Sequence, residues 1–355
     1  MKLKPLLPFI ILVYSLSSCK KDLPAIKKKV VDTYVAGWAE NSTTGGDAAY
    51  WKNGKLIRLK SIAKYNFVKA IAVQDSDVYA VGNSYTDNIG EVISYWKNGK
   101  AIYVDTVHTA FIKDLAVNGK DVYILADKSI PGQTPTGLIT RPALWKNNVP
   151  TSLPTENSYD SGSSQLLVKG NDVYVTGYLT NAQLVDVAVV WKNGQLIKLS
   201  DGKKAARASA ITSQGNDIYI AGVGESSKSS VALVWKNMAA ADSLFNPHAP
   251  GIYTEFVSGL AVNGTDVYVS GVERKSGDGM LSVNYLYWKN GAIKFPNTEA
   301  SGAVLSYKSR FFNNNLYTAG TILGACGYWK NQDFVKIANG PSDWGATDVL
   351  FVEHE

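Results

Sequence analysis

Unbroken apolar runs such as Val187-Ala188-Val189-Val190-Trp191 and Val231-Ala232-Leu233-Val234-Trp235 recur along the chain, each ending in tryptophan followed by Lys-Asn. A strand that does not alternate must have both faces covered. The tryptophans of seven Trp-Lys-Asn copies, at 51, 96, 145, 191, 235, 288 and 329, lie 45, 49, 46, 44, 53 and 41 residues apart. A period of this length marks a β-propeller blade, not a helical pair. Upstream stands Asp-Val-Tyr or a near variant, with tyrosines at 34, 79, 123, 174, 219, 268 and 317. Glycine follows three residues later in six copies (37, 82, 177, 222, 271 and 320), while the third has Ala126. The missing Cβ predicts a close approach of neighbouring backbones or a strand end at positive φ.

Each repeat parses into four strands, A to D. In the fourth copy these are residues 165–169, 172–177, 185–192 and 195–199. The C to D link is Asn-Gly at residues 53, 98, 193 and 290, a strong hairpin signal because both central residues must take positive φ. Asn147-Asn148, Asn237-Met238 and Asn331-Gln332 replace it elsewhere, so those turns are expected to be longer or strained. The first repeat lacks a convincing A strand, whereas residues 346–352 align with the A strand at 67–73. The expected fold is therefore an all-β, seven-bladed β-propeller whose C-terminal strand closes the first blade and removes both exposed edges. The repeated tryptophans become wedges between blades.

Residues 1–18 carry Lys2 and Lys4, then an apolar run too short to span a bilayer, and then Leu16-Ser17-Ser18-Cys19. Leu-Ser-Ser-Cys resembles the bacterial lipobox. The resemblance implies a lipoprotein signal peptide over 1–18, acylation of Cys19, and a membrane partner held through the lipid anchor. The expected address is the bacterial cell envelope, at the outer membrane. Residues 19–30 form a basic tether, and 31–355 form the propeller. The chain has 36 basic and 30 acidic residues, but residues 1–30 hold seven of the former and one of the latter. The propeller itself is neutral, which argues against nucleic acid as a partner. A monomer is expected. Cys326 takes a position held by alanine in other copies and reads as a buried, inert thiol.

Tyr-x-x-Gly followed by an apolar strand ending in tryptophan resembles kelch-type blades, although the kelch double glycine is absent. Trp-x-Asn-Gly preceded by Ala-Leu or Ala-Tyr is closer to the extracellular repeats known as HAF repeats. The resemblance implies a propeller over residues 31–355 and carries no catalytic residue with it.

Candidate chemistry is sparse. The histidines are His108, His248 and His354, and no zinc, serine-hydrolase or P-loop motif occurs, so no catalytic residue, cofactor or metal is assigned. Ser61-Ile62-Ala63-Lys64 matches Ser-x-x-Lys without a helical context. The repeated aspartates at 32, 77, 121, 172, 217 and 266 read as acceptors of turn N–H groups, and the lysines after each tryptophan as a solvated rim. In an antiparallel meander the A to B and C to D turns share one face, and the B to C and D to A connections share the other. The second face is variable, with long segments at 127–141 and 149–163, and is the expected place for binding. Trp38 and Trp344 both fall there, with Tyr85 and Asp87 as neighbours, as either a ligand site or packing at the ring seam. The tether enters at the tight-turn face, so the loop face is expected to point away from the membrane. The expected function is a non-catalytic binding or scaffold module for a glycan or protein partner. The alternative is an extracytoplasmic glycoside hydrolase or lyase using the loop face.

Overall fold

A computed structural model describes residues 29–41, 46–61, 65–86, 90–105, 110–132, 137–225, 230–244, 252–277, 280–296, 304–322, 325–338 and 345–354. The strands form seven four-stranded antiparallel sheets, successive in sequence and arranged around a central channel. The chain is an all-β, seven-bladed propeller. Blade 1 is assembled from both ends, since its A strand Gly345–His354 pairs with its B strand Val30–Ala39 and sets Tyr34 opposite Leu350. Lys29 meets Glu353 at 2.8 Å and His354 meets Asp32 at 3.0 Å, fastening the outer end of this pairing. The signal segment, Cys19, most of the tether, Trp344 and Asp87 lie outside the described residues.

All seven repeat tryptophans are buried, each in a cluster with the tyrosine of the preceding blade. The indoles of Trp96, Trp191 and Trp235 donate to Lys60 O, Pro154 O and Leu199 O, carbonyls at the outer edge of the preceding blade. These three wedges carry an apolar body and a satisfied polar tip, whereas the indole N–H groups of Trp288 and Trp329 are buried without a partner among the described residues. Cys326 is buried between blades 7 and 1, where burial pushes its thiol up to about 11 and keeps it unreactive at neutral pH.

The aspartates and lysines do more than the sequence suggests. In blade 1 Lys52 meets Asp32 at 2.7 Å and stands 5.3 Å over the Tyr34 ring, while Asn53 Nδ2 donates to Asp32 Oδ1 at 2.7 Å. The turn N–H expected to reach the aspartate goes instead to Asn53 Oδ1, from Thr33 N at 2.8 Å. The same clasp recurs at Asp77, Asp121, Asp172, Asp217 and Asp266. The Lys52 ammonium and the Asn53 amide hold the Asp32 carboxyl down at about 2. In blade 7 Asn315 replaces the aspartate and accepts from Asn331 Nδ2 at 2.8 Å. The asparagine thus serves the turn twice, taking φ near +50° and tying strands B and C together.

Two expectations about loops are refined. Of the turns expected to be longer or strained, Asn237-Met238 is longer, since strand C ends at Lys236 and strand D begins at Asp242, and Met238 takes positive φ; Asn147-Asn148 keeps the two-residue link with both residues at positive φ, and Asn331-Gln332 also spans two residues. The segments 127–141 and 149–163 hold more strand than expected, at 127–131 and 138–141 in the first and at 149–152 and 160–163 in the second. Blade 3 extends its B and C strands over Asp121–Pro131 and Leu138–Lys146, with Ile130 opposite Ile139, and blade 4 starts its A strand at Asp160. Cross-strand pairing of apolar residues carries the ladder past the point where the motif ends.

Candidate functional site

The repeated glycine locates the site. None of the six takes positive φ; each faces the A strand of its own blade so closely that a Cβ on Gly82 would stand 1.7 Å from Phe67 O, and one on Gly222 1.9 Å from Arg207 O. Opposite this position every A strand bulges. The register jumps from Val68 to Ala70, Ile112 to Asp114, Ser163 to Leu166, Ala208 to Ala210, Val257 to Gly259 and Ser306 to Ser309, and blade 1 skips Thr347. A bulge leaves one residue unpaired and re-aims its side chain. Here the re-aimed residues, among them Lys69, Lys113, Gln165, Tyr307, Lys308 and Thr347, line the loop-face half of the channel.

Charges along the channel are mostly committed. Lys308 meets Asp114 at 2.6 Å, Lys113 meets Asp127 at 3.2 Å, and Arg310 meets Asp348 at 3.3 Å. Asp114 also accepts from Leu166 N at 3.0 Å and Asp348 from Ile71 N at 3.3 Å, while Gln165 Oε1 accepts from Ile211 N at 3.1 Å. Asp348, Asp114 and Gln165 thereby stitch blade 1 to 2, 3 to 4 and 4 to 5, while the Lys308–Asp114 pair joins blade 7 to blade 3 across the channel. Among the described residues Lys69 has no carboxylate partner; its ammonium stands 4.6 Å over the Tyr307 ring. Burial pulls Lys69 down to about 8, with the charge of Lys113 acting in the same direction.

Four residues beyond each repeat tyrosine, the B strand presents a side chain to the next blade's A strand. Asn83 there accepts from Ile112 N at 2.9 Å, and Asp127 accepts from Ser163 N at 3.0 Å. Tyr178 lies 4.0 Å beneath the Arg207 guanidinium. In blade 1 the position is Trp38, which packs over Gly345 and meets Phe67 edge-on, with ring centroids 6.4 Å apart. A cavity of about 650 Å³ opens beside it on the loop face, walled by Trp38, Tyr65 and Phe67 and floored by Lys69, Tyr307 and Thr347. Its floor residues also line the channel, so cavity and channel are continuous there.

Of the residues singled out from sequence, Trp38 is half-buried and serves both as seam packing and as a cavity wall. Tyr85 is 48% exposed and sits directly across from Tyr65, itself 56% exposed, so the two phenols share one face at the rim. Trp344 and Asp87 are not among the described residues. Sequence reasoning missed Lys69, Tyr65, Phe67 and Tyr307. The available signal was a slip in the apolar phase of the A strand, where Val68-Lys69 is followed by two apolar residues, Ala70-Ile71. A second loop-face cavity, of about 340 Å³, is lined by Asp127, Tyr178 and Arg207 among others, and burial raises the Asp127 carboxyl. No group of three or more potential metal ligands occurs among the described residues.

No protein-family model and no curated protein sequence matches the chain. Solved structures match in fold. An acylaminoacyl peptidase of Pyrococcus horikoshii aligns at TM-score 0.53 and 11% identity, over 87% of this chain and 51% of the other. A puromycin-hydrolyzing peptidase of Mycobacterium tuberculosis aligns at 0.53 and 9%, over 89% and 51%. A Trypanosoma rangeli sialidase in complex with the inhibitor DANA aligns at 0.47 and 10%, over 84% and 56%. The chain spans about half the length of these proteins, and at such identities the likeness is one of propeller architecture alone.

Proposed function

We propose that this propeller is a non-catalytic binding module of a lipid-anchored envelope protein and takes a saccharide at the loop-face cavity between blades 1 and 2. The observation that carries the reading is the cavity's lining. Trp38, Tyr65 and Phe67 offer aromatic faces on which a sugar ring can stack, Asn66 and Thr347 offer polar contacts, and the volume of about 650 Å³ lies in the range of small-ligand sites. Hydrolysis of a glycosidic bond calls for two carboxyl groups flanking it, and the described residues lining this cavity include none. The test is calorimetric titration of the full chain with a panel of oligosaccharides, repeated with Trp38→Ala and Tyr65→Ala. Loss of binding at an unchanged melting temperature in Tyr65→Ala supports the site; a panel with no binder, or binding indifferent to both changes, refutes it.

The hydrolase or lyase alternative draws on the second cavity, because a buried carboxyl with a raised pKa is suited to general-acid work. Asp127 is, however, already engaged by Ser163 N, Ser163 Oγ and Lys113, which ties blade 3 to blade 4 and ranks this reading second. Glycoside cleavage that disappears in Asp127→Asn, in a variant that still folds, would reverse the order.

A further inference from the structure

Building on that cavity as a saccharide site, we propose that its ligand is anionic, a sugar ring bearing a carboxylate or sulfate, and that Lys69 is the residue that binds the anionic group. Three cations, Lys69, Lys113 and Lys308, line the loop-face half of the channel and a fourth, Arg310, lies further along it; three carboxylates, Asp114, Asp127 and Asp348, answer them. Each carboxylate is spoken for. Asp114 takes Lys308 together with the N–H groups of Leu115 and Leu166; Asp348 takes Arg310 with those of Ile71 and Val349; Asp127 takes Lys113 and Ser163. Among the described residues one positive charge is left over, and it belongs to the cation that also lines the aromatic cavity.

The bulge explains why that charge is there. Lys69 is the residue skipped between Val68 and Ala70, held by a backbone that Gly82 presses from the partner strand, so the ammonium is positioned by the sheet and not by a flexible loop. Among the described residues its direct partner is the Tyr307 face at 4.6 Å, with Asp114 and Asp348 acting on it by charge alone. A partly desolvated cation with no directly paired carboxylate among the described residues is costly to keep, and a ligand anion would relieve that cost while the ring it is attached to stacks on Trp38 and Phe67 at the cavity mouth. Trp38, Tyr65 and Phe67 select a ring, Lys69 selects its charge, and the channel beyond accommodates the anionic end.

The charge state of Lys69 supplies a readout that simple packing would not move. The groups facing it are Tyr307, Lys113, Lys308, Asp114 and Asp348, and burial with Lys113 brings it to about 8 in the unliganded protein. Anion binding requires the ammonium, so affinity stays level below pH 8 and falls toward about tenfold per pH unit above it, levelling only beyond the higher pKa of the liganded protein. A neutral ring shows no such fall.

The experiment pairs acidic oligosaccharides with their neutral counterparts against the full chain: galacturonate trimers with their methyl esters, and sulfated galactose oligomers with the desulfated forms. Sodium acetate and sodium sulfate serve as anion-only probes. The expected result is at least tenfold tighter binding of one acidic member than of its neutral partner at pH 7. The preference should be abolished in Lys69→Met, retained in Lys69→Arg, and lost in the wild type above pH 9. Equal binding of acidic and neutral members, or a preference that survives Lys69→Met, overturns the inference while leaving a saccharide site in place. Binding of sulfate or acetate as tight as that of the acidic sugars also overturns it, because the ring would then contribute nothing. Failure of every saccharide, acidic and neutral, overturns both readings together.

Discussion

Replacing Lys69 by methionine should make the unliganded propeller more stable, an unusual outcome for a change beside a packed inner strand. Burial, aided by Lys113, lowers the ammonium from an ordinary 10.5 to about 8, so folding at neutral pH carries the cost of a charge the environment disfavours. At about 1.4 kcal/mol per pH unit this bounds the cost at about 3 kcal/mol, and partial solvent access reduces it further. Losing the contact with the Tyr307 ring gives back about 0.5–1 kcal/mol, while a methionine side chain keeps most of the buried stem. The expected net gain is about 1–2 kcal/mol at pH 7. Its sign with pH follows from linkage: between about 8 and 10.5 the unfolded chain holds the proton that the folded chain has released, so wild-type stability rises with pH across that window. The advantage of the variant is full below pH 8 and vanishes above 10.5. Urea unfolding of both proteins at pH 7, 9 and 10.5, followed by tryptophan fluorescence, measures the difference directly. A variant less stable than wild type at pH 7, or a difference that does not shrink by pH 10.5, would refute the reasoning.

Gly82→Ala places a methyl group inside contact distance of Phe67 O, whose backbone cannot retreat without undoing the bulge; a loss of about 2–4 kcal/mol is expected from denaturant midpoints, with Lys69-dependent binding lost as well. Asp32→Asn breaks one ion pair of a repeated clasp whose carboxyl is held at about 2. Because a lowered carboxyl pKa stabilises only above its unfolded value, the variant's deficit in melting temperature should be present above pH 4 and disappear as pH falls toward 2; a deficit unchanged with pH would count against the clasp. Trp191→Ala removes a fully buried wedge and orphans Pro154 O, for an expected loss of about 3–5 kcal/mol by urea titration; a loss below about 1 kcal/mol would mean the blades do not rest on these indoles.

What the sequence disclosed and what it hid divide along one physical line. Trp-Lys-Asn, Asp-Val-Tyr and the Asn-Gly links are local signals, and each asks only which residue follows which; they announced seven blades, the inter-blade wedges and the borrowed strand of blade 1. Lys69 was in view inside a strand that had been aligned, but a bulge is a property of pairing between two strands and shows in one of them only as the slipped phase of Val68-Lys69-Ala70-Ile71. Tyr307 and Lys69 come from blades 7 and 2, so their meeting depends on ring closure. The clasps were half visible: the spacing exposed Asp32, Lys52 and Asn53, while the bond that joins them needed strands B and C side by side. The long loop expected at 127–141 was cut short for the opposite reason, since strands continued past their motif on the strength of partners such as Ile130 and Ile139.

The borrowed strand of blade 1 also sets an order of events for a chain leaving the ribosome. Thr347 reaches Ala36 O across 311 residues, so six blades can be complete while the first still shows a bare inner edge. Until residues 345–354 arrive, that edge is a template for pairing with any other strand in reach, including the same segment of a second nascent copy. Once they dock, the same contact becomes a latch, because no blade can peel away without first releasing a strand flanked by neighbours on both sides. A sequence of this design invites delivery of the whole chain before folding is allowed to finish, and it turns the last strand into the determinant of how slowly the finished ring comes apart.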